Sequence, residues 1–295
     1  MPACLPAGAT RASATSCRWL DARQAAGHAR KLAISLKADD GVPAEFPSMK
    51  LALLSDLHAN RHALQACLAD ARAHEASQYA FLGDLVGYGG EPGAVLDTVM
   101  EMAARGAWVV RGNHDEATLA PRAGSDRADH AGAAWTAARL SRPQREFLAR
   151  LPLTASHDFL LLVHASAREP GRWTYVEDAQ RAADSIDHAG AATHVFGGHV
   201  HEQRLFFQGL VGKTMPFEPT PGVPVPVPRH RRWLATVGSV GQPRDGRSEA
   251  MYALFDTGAL TLTFLRVPYD HSAAARAIRA AGLPESNAVR LGLGR

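Results

Sequence analysis

Met49-Lys-Leu-Ala-Leu-Leu-Ser-Asp-Leu-His-Ala-Asn60 decides the reading of this chain. Leu51–Ser55 is a short unbroken apolar run, as expected of a strand buried on both faces. Asp56 and His58 follow at once, two residues apart, so a carboxylate and an imidazole can face one point beyond the strand end. Asn60 then opens an Ala/Leu-spaced stretch to His74 that reads as a helix with Asn60 as its N-cap. A strand, a polar turn and a helix in succession are the unit of an α/β sheet.

Downstream the unit recurs. Tyr79–Leu82 is a second strand, followed by Gly83-Asp84. A helix over Gly93–Ala104 starts at Glu91-Pro92, and Ala107–Val110 is a third strand, followed by Gly112-Asn113-His114-Asp115. Helical pieces follow His114, then cover Asp129–Leu140 and Ser141–Arg150, with Pro143 in a first helical turn. Beyond residue 150 strands dominate. Ala155–Ser156 and Phe159–Val163 read as a hairpin ending at His164. A helix spans Asp178–His188, and the strand Thr193–Phe196 runs into Gly198-His199-Val200-His201. Arg204–Phe207, Trp233–Val237, Met251–Asp256 and Leu260–Arg266 read as strands, the last two joined by a turn at Asp256-Thr-Gly258. A helix over Ser272–Ala281 ends at Gly282-Leu-Pro284. Alternating strands and helices followed by a run of strands predict an α/β fold: a four-layer α/β/β/α sandwich of two mixed sheets flanked by helices. Pro216–Pro228, with six prolines, cannot be a central strand and reads as an exposed, stiff loop.

Each polar motif directly follows an apolar run, where ligands collect in open sheets. Asp84 after a glycine can sit between two ions. Asn113 offers a neutral amide oxygen, His164 ends a strand, and His199 and His201 can each reach a different ion. Singly, any of these is a common structural residue. Five in order supply carboxylate, imidazole and amide ligands for two divalent ions side by side, a recurring arrangement for attack on phosphate esters. Nitrogen and oxygen ligands without thiolate suit Mn, Fe, Zn, Co or Ni, with Mn favoured, and argue against Ca.

The chain resembles the calcineurin-like metallophosphoesterase superfamily, whose pattern is Asp-x-His, Gly-Asp, Gly-Asn-His-Asp/Glu, His and Gly-His-x-His. The resemblance spans about residues 49–270. It implies that Asp56, His58, Asp84 and His201 hold one metal, and that Asp84, Asn113, His164 and His199 hold the other. It implies hydrolysis by a metal-activated hydroxide, with His114 as the catalytic residue assisting the leaving group rather than a ligand. Serine/threonine protein phosphatases and bis(nucleosyl) tetraphosphatases carry Gly-Asp-x-x-Asp-Arg-Gly, whereas this chain reads Gly83-Asp-Leu-Val-Gly-Tyr-Gly89 and lacks that arginine. Asp-Leu-His-Ala-Asn60, Gly-Tyr-Gly-Gly-Glu-Pro92 and Gly238-Ser-Val-Gly-Gln-Pro-Arg-Asp245 look like small bacterial phosphodiesterases instead. Those usually read His-Gly-Ser where this chain has His164-Ala-Ser166. The expected function is therefore phosphodiester hydrolysis; a phosphomonoesterase, and then a non-catalytic scaffold, are the alternatives.

Arg244 and Tyr88 are candidate substrate contacts, against plainer readings as a turn residue and a packed ring. Asp115 is expected to brace the His114 loop. The partner expected is a small phosphate ester, nucleotides among the candidates. A formal charge of +3, 21% charged residues and no long basic block give no sign of a stable nucleic-acid partner. No apolar stretch approaches a membrane span. Cys4, Cys17 and Cys67 are odd in number and contain no Cys-x-x-Cys, which fits a reducing cytoplasm. Residues 1–48, rich in Ala, Arg and Ser, are expected to be a poorly ordered extension with at most a helix around Ala25–Leu36. The phosphoesterase domain would then occupy 49–295.

Overall fold

The computed structural model describes residues 48–121, 128–209 and 212–295. The N-terminal extension, its helix around Ala25–Leu36, Cys4 and Cys17 lie outside the described residues.

Two mixed six-stranded sheets carry the fold. The first contains β1 (Lys50–Leu54), β2 (Gln78–Leu82), β3 (Trp108–Val110), β9 (Val225–Pro226), β11 (Ala250–Asp256) and β12 (Thr261–Val267), in the order β3-β2-β1-β11-β12-β9. The second contains β4 (Thr154–His157), β5 (Leu160–Val163), β6 (His194–Gly197), β7 (Gln203–Gln208), β8 (Thr214–Phe217) and β10 (Arg232–Val237), in the order β4-β5-β6-β10-β7-β8. Strands β1, β2 and β3 run parallel, as do β5, β6 and β10; the remaining pairs are antiparallel.

The two-residue period of a strand explains the layers. In β1, Leu51 and Leu53 point between the sheets and meet Phe196, Phe255 and Phe264 in one core. Ala52 and Leu54 point the other way, into a second core with Leu64 and Leu68 of α1 (Arg61–Ala73), Val95 and Leu96 of α2 (Pro92–Ala104) and Leu148 of α5 (Arg142–Arg150). On the far side, Leu161, Val195 and Leu234 bury Ala182 and Ile186 of α6 (Ala179–Asp187). The result is the four-layer α/β/β/α sandwich. Because both faces of the central strands are covered, those strands read as unbroken apolar runs rather than alternating ones.

The helix starts follow their local chemistry. Asn60 Oδ1 accepts the Ala63 N–H at 3.1 Å and caps α1. Ser141 and Gln144 form a reciprocal capping box at α5. Asp178 and Asp270 cap α6 and α7 (His271–Ala280). Between α2 and α5 lie α3 (Asn113–Leu119) and α4 (Ala128–Ala137).

Two expectations need correction. The proline-rich stretch is not a loop throughout: Pro216 lies in β8 and Pro226 in β9. Each strand ends a sheet, where an imino nitrogen that cannot donate leaves no ladder partner unsatisfied. The C-terminus does not close at residue 284 either. A further helix, α8 (Glu285–Leu293), packs Ala288 and Leu291 on Ala274, Ala275 and Ile278 of α7. Two buried apolar side chains in nine residues give too thin a stripe to read from sequence.

Candidate metal centre

Six parallel strands, three from each sheet, deliver the motifs from their carboxyl ends. Asp56 and His58 follow β1, Asp84 and Tyr88 follow β2, and Asn113 and His114 follow β3. His164 follows β5, His199 and His201 follow β6, and the Gly238–Asp245 loop follows β10. Asp56, His58, Asp84, His164, His199 and His201 are all buried. The chain reaches these positions through unusual backbone. Asp56, His58, Asp84, Tyr88, His199 and His201 all have positive φ between 46° and 67°. That conformation costs about 1–2 kcal/mol per non-glycine residue, and such strain collects at functional sites. Gly198 has to be glycine for a different reason: a Cβ there would collide with the Asp56 carboxylate.

Hydrogen bonds fix what each side chain presents. Asp56 uses Oδ2 to accept the His199 N–H at 2.9 Å, and Asp84 uses Oδ1 to accept the His114 N–H at 2.8 Å. Each carboxylate thus keeps its other oxygen for the site. His58 and His201 donate from Nδ1 to the Val86 and Gln242 carbonyls, at 3.2 and 2.6 Å. His164 donates from Nδ1 to Leu82, at 2.7 Å, and His199 donates from Nε2 to Trp173, at 3.0 Å. A carbonyl can only accept, so in each neutral ring the remaining nitrogen carries a bare lone pair.

Those lone pairs gather in two groups. In the first, His58 Nε2 and His201 Nε2 lie 3.0 Å apart, with Asp56 Oδ1 3.2 Å from the latter. Asp56 Oδ1 is buried and has no hydrogen-bond partner. In the second, His164 Nε2 lies 3.4 Å from Asp84 Oδ2, 3.1 Å from Asn113 Oδ1 and 3.2 Å from His199 Nδ1. Asp84 Oδ2 is also 3.8 Å from His58 Nε2, so one oxygen looks into both groups. Facing electron-pair donors repel unless a positive charge, a proton or a metal ion, stands between them. The donor set fits a divalent ion at each group, with Asp84 shared.

The charges agree. Burial by itself would raise Asp84 and Asp56, but the facing imidazoles outweigh it and hold both carboxyls below their ordinary range. Burial would lower His164, yet the Asp84 carboxylate pushes it up to about 10, so this pocket demands a positive charge. Burial lowers His199 to about 4. It also lowers His114 to about 4, leaving that ring neutral at pH 7. His114 stands at the edge of the site, its ring centroid 4.4 Å from that of Tyr88 and 5.1 Å from that of His58. Asp115 points away from the site: its carboxylate accepts the backbone N–H groups of Leu85, Val86 and Gly112 and so locks the His114 loop onto the Asp84 loop.

All seven ligand candidates from the sequence therefore meet at one place, with His114 and Tyr88 beside them. Arg244 lies next to the site. Its N–H donates to the His201 carbonyl at 3.2 Å, and its guanidinium carbon is 6.0 Å from the Tyr88 ring centroid. Sequence reasoning missed Trp173, whose carbonyl orients His199, and Tyr175, whose ring stacks on His199 at 3.9 Å. It also missed Arg290 of α8. None of the three stands in a motif: Trp173 and Tyr175 come from one segment after β5, and Arg290 from α8.

Comparisons with known proteins show the family and the fold. Residues 49–259 match the calcineurin-like phosphoesterase superfamily domain. The chain is 30% identical over 257 residues to an uncharacterized protein of Methanocaldococcus jannaschii, covering 83% of this chain and 98% of that one. A crystal structure of a metallophosphoesterase from Sphaerobacter thermophilus superposes with a TM-score of 0.76 at 33% identity, over 84% of this chain and 100% of that one. A hypothetical protein from Pyrococcus horikoshii shares the fold, with a TM-score of 0.68 at 19% identity over 83% of this chain and 98% of its own.

Proposed function

The chain belongs to the calcineurin-like phosphoesterase superfamily, and from that premise we propose that it hydrolyses phosphodiesters with two divalent ions, Mn favoured. Asp56, His58 and His201 would hold one ion, and Asn113, His164 and His199 the other, with Asp84 shared between them. The observation that carries this reading is the pair of lone-pair clusters, above all the facing Nε2 atoms of His58 and His201 beside the unpartnered Asp56 Oδ1. When bound, the two ions supply an acidified water and offset the charge that grows on phosphate in the transition state.

The chain's own residues do the rest. Backbone carbonyls hold the four imidazoles in one tautomer, so no ring has to reorganise during turnover. His114, neutral before substrate arrives, would be drawn upward in proton affinity by an approaching phosphate and would then hold a proton for the departing oxygen. The loop after β2 supports a diester. Where protein phosphatases place an arginine, this chain has Gly87-Tyr88-Gly89, so the β2 loop itself supplies no guanidinium to clamp the extra charge of a monoester. Among the described residues no helix is long and apolar enough to cross a membrane. Cys67 is a free thiol buried in α1, in keeping with the cytoplasmic setting we propose.

Paired initial rates on bis(p-nitrophenyl) phosphate and p-nitrophenyl phosphate, after chelator treatment and Mn²⁺ addition, test the proposal. We expect activity only with metal, and faster cleavage of the diester. Preference for the monoester would favour the phosphomonoesterase alternative, and silence on both esters would favour the scaffold.

A further inference from the structure

Helix α8 is fastened across the rim of the metal centre. Asn287 Nδ2 donates to the Tyr88 carbonyl at 3.1 Å, and the Gly246 N–H donates to the Gly294 carbonyl at 2.9 Å. Ala288 and Leu291 bury against α7. Held in this way, Arg290 donates from Nη1 to Gln242 Oε1 at 3.3 Å, and Arg244 donates from Nη2 to the same oxygen at 3.0 Å. Both guanidinium carbons lie 6.0 Å from the centroid of the Tyr88 ring. Among the described residues, neither arginine has a carboxylate within 4.0 Å.

This arrangement is electrostatically incomplete. Two guanidinium groups share one neutral oxygen of Gln242, a residue only 1% exposed. Their like charges repel, and the amide offsets little of that. The fold nevertheless fixes both from separate elements, the β10 loop and α8. Planar, paired N–H forks of this kind suit a phosphate group. The pair is also tied to the metal centre: the Gln242 backbone carbonyl orients His201 while its side chain takes the two arginines. The Tyr88 ring neighbours both: its centroid is 6.0 Å from each guanidinium carbon and 4.4 Å from the His114 ring.

We propose that Arg244 and Arg290 form a subsite for a second phosphate on the substrate, beyond the scissile one. This points to diesters of nucleotide type that carry an additional phosphate, and it rests on the phosphodiesterase reading above. Tyr88 would separate the two phosphates and offer its face to the group that joins them.

Two chromogenic diesters test this on the metal-loaded full chain: thymidine 5′-(p-nitrophenyl phosphate), and the same ester bearing a 3′-phosphate. The wild type should prefer the 3′-phosphorylated ester in kcat/KM. Arg290→Gln and Arg244→Gln should each reduce that preference about tenfold or more, the scale of a lost charge-assisted hydrogen bond. A purely structural role for Arg290 would lower both rates together and leave their ratio unmoved. Absence of preference in the wild type, or equal preference in wild type and both variants, would overturn the proposal. If the wild type cleaves neither ester, the phosphodiesterase reading fails on its own account. The subsite is then decided by calorimetric binding of adenosine 3′,5′-bisphosphate to chelator-treated protein. About tenfold weaker binding in each variant supports it, and equal binding overturns it.

Discussion

Asp56, His58 and His201 are braced from inside the domain, whereas the Asp84, His164 and His199 group leans partly on a surface turn. His58 and His201 donate to the carbonyls of Val86 and Gln242, both residues at most 1% exposed. His164 has an equally internal anchor in Leu82. His199 does not. Its anchor, Trp173, follows the short 3₁₀ turn Pro170–Arg172, which is flanked by Glu169 and Trp173 in left-handed conformation. The ring stacked on His199 belongs to Tyr175, 45% exposed. His199 is also the one imidazole of the four that faces its group with Nδ1 instead of Nε2. Groups that orient a ligand ring contribute to metal affinity about as much as a weak ligand does. Two similar donor sets can therefore differ in how tightly they hold an ion, because the difference lies one layer further out.

Asp84 is where that comparison collapses, since its Oδ2 looks into both groups. Asp84→Asn should lower kcat/KM by about 10³-fold or more and reduce bound metal at both positions. Two ions per chain in the variant, counted by elemental analysis, would show that the groups do not depend on a shared carboxylate. His114→Ala separates chemistry from metal binding: both ions should stay, while the rate falls about 10²–10⁴-fold. That loss should shrink for leaving groups as good as nitrophenolate; equal loss for poor and good leaving groups would remove His114 from the proton-transfer role. Tyr175→Ala sharpens the asymmetry itself. We expect about 10–100-fold weaker retention of one ion against a competing chelator, with the other ion held as before. Equal loss of both would make the surface turn irrelevant.

His194 provides an effect on stability alone and the contrast with the site histidines. It too is buried, but both its nitrogens are satisfied: Nε2 donates to the Val227 carbonyl at 2.7 Å and Nδ1 lies 2.9 Å from Thr193 Oγ1. Burial lowers it to about 4 from 6.5. Between these values the unfolded chain binds the proton and the folded chain does not. Stability is therefore fully present above about pH 6.5 and is lost as pH falls toward about 4, by up to about 3 kcal/mol. Urea midpoints at pH 7 and pH 5 should differ less in His194→Gln than in the wild type. An unaltered difference would place the acid sensitivity elsewhere.

Much of the fold was legible because strand ends and site coincide. The apolar runs Leu51–Ser55, Tyr79–Leu82 and Thr193–Phe196 are strands within a residue or two, and the polar residues after each are those that converge. Pro216 and Pro226 misled because a proline that is excluded from the middle of a sheet is tolerated at its edge. Helix α8 was invisible because its stability comes from docking on α7 and on the Gly238–Asp245 loop rather than from its own composition.

By itself the sequence determined which donor atoms the site can have and that they follow strands, since residue type and local periodicity are properties of short segments. Only the tertiary structure decided which nitrogen of each imidazole is bare, that Asp84 has an oxygen for both groups, and that two arginines, one from a loop and one from a distant helix, share one amide. The physical reason is that a ring's tautomer is set by the carbonyl opposite its other nitrogen. For His164 that carbonyl belongs to Leu82, on a strand of the other sheet.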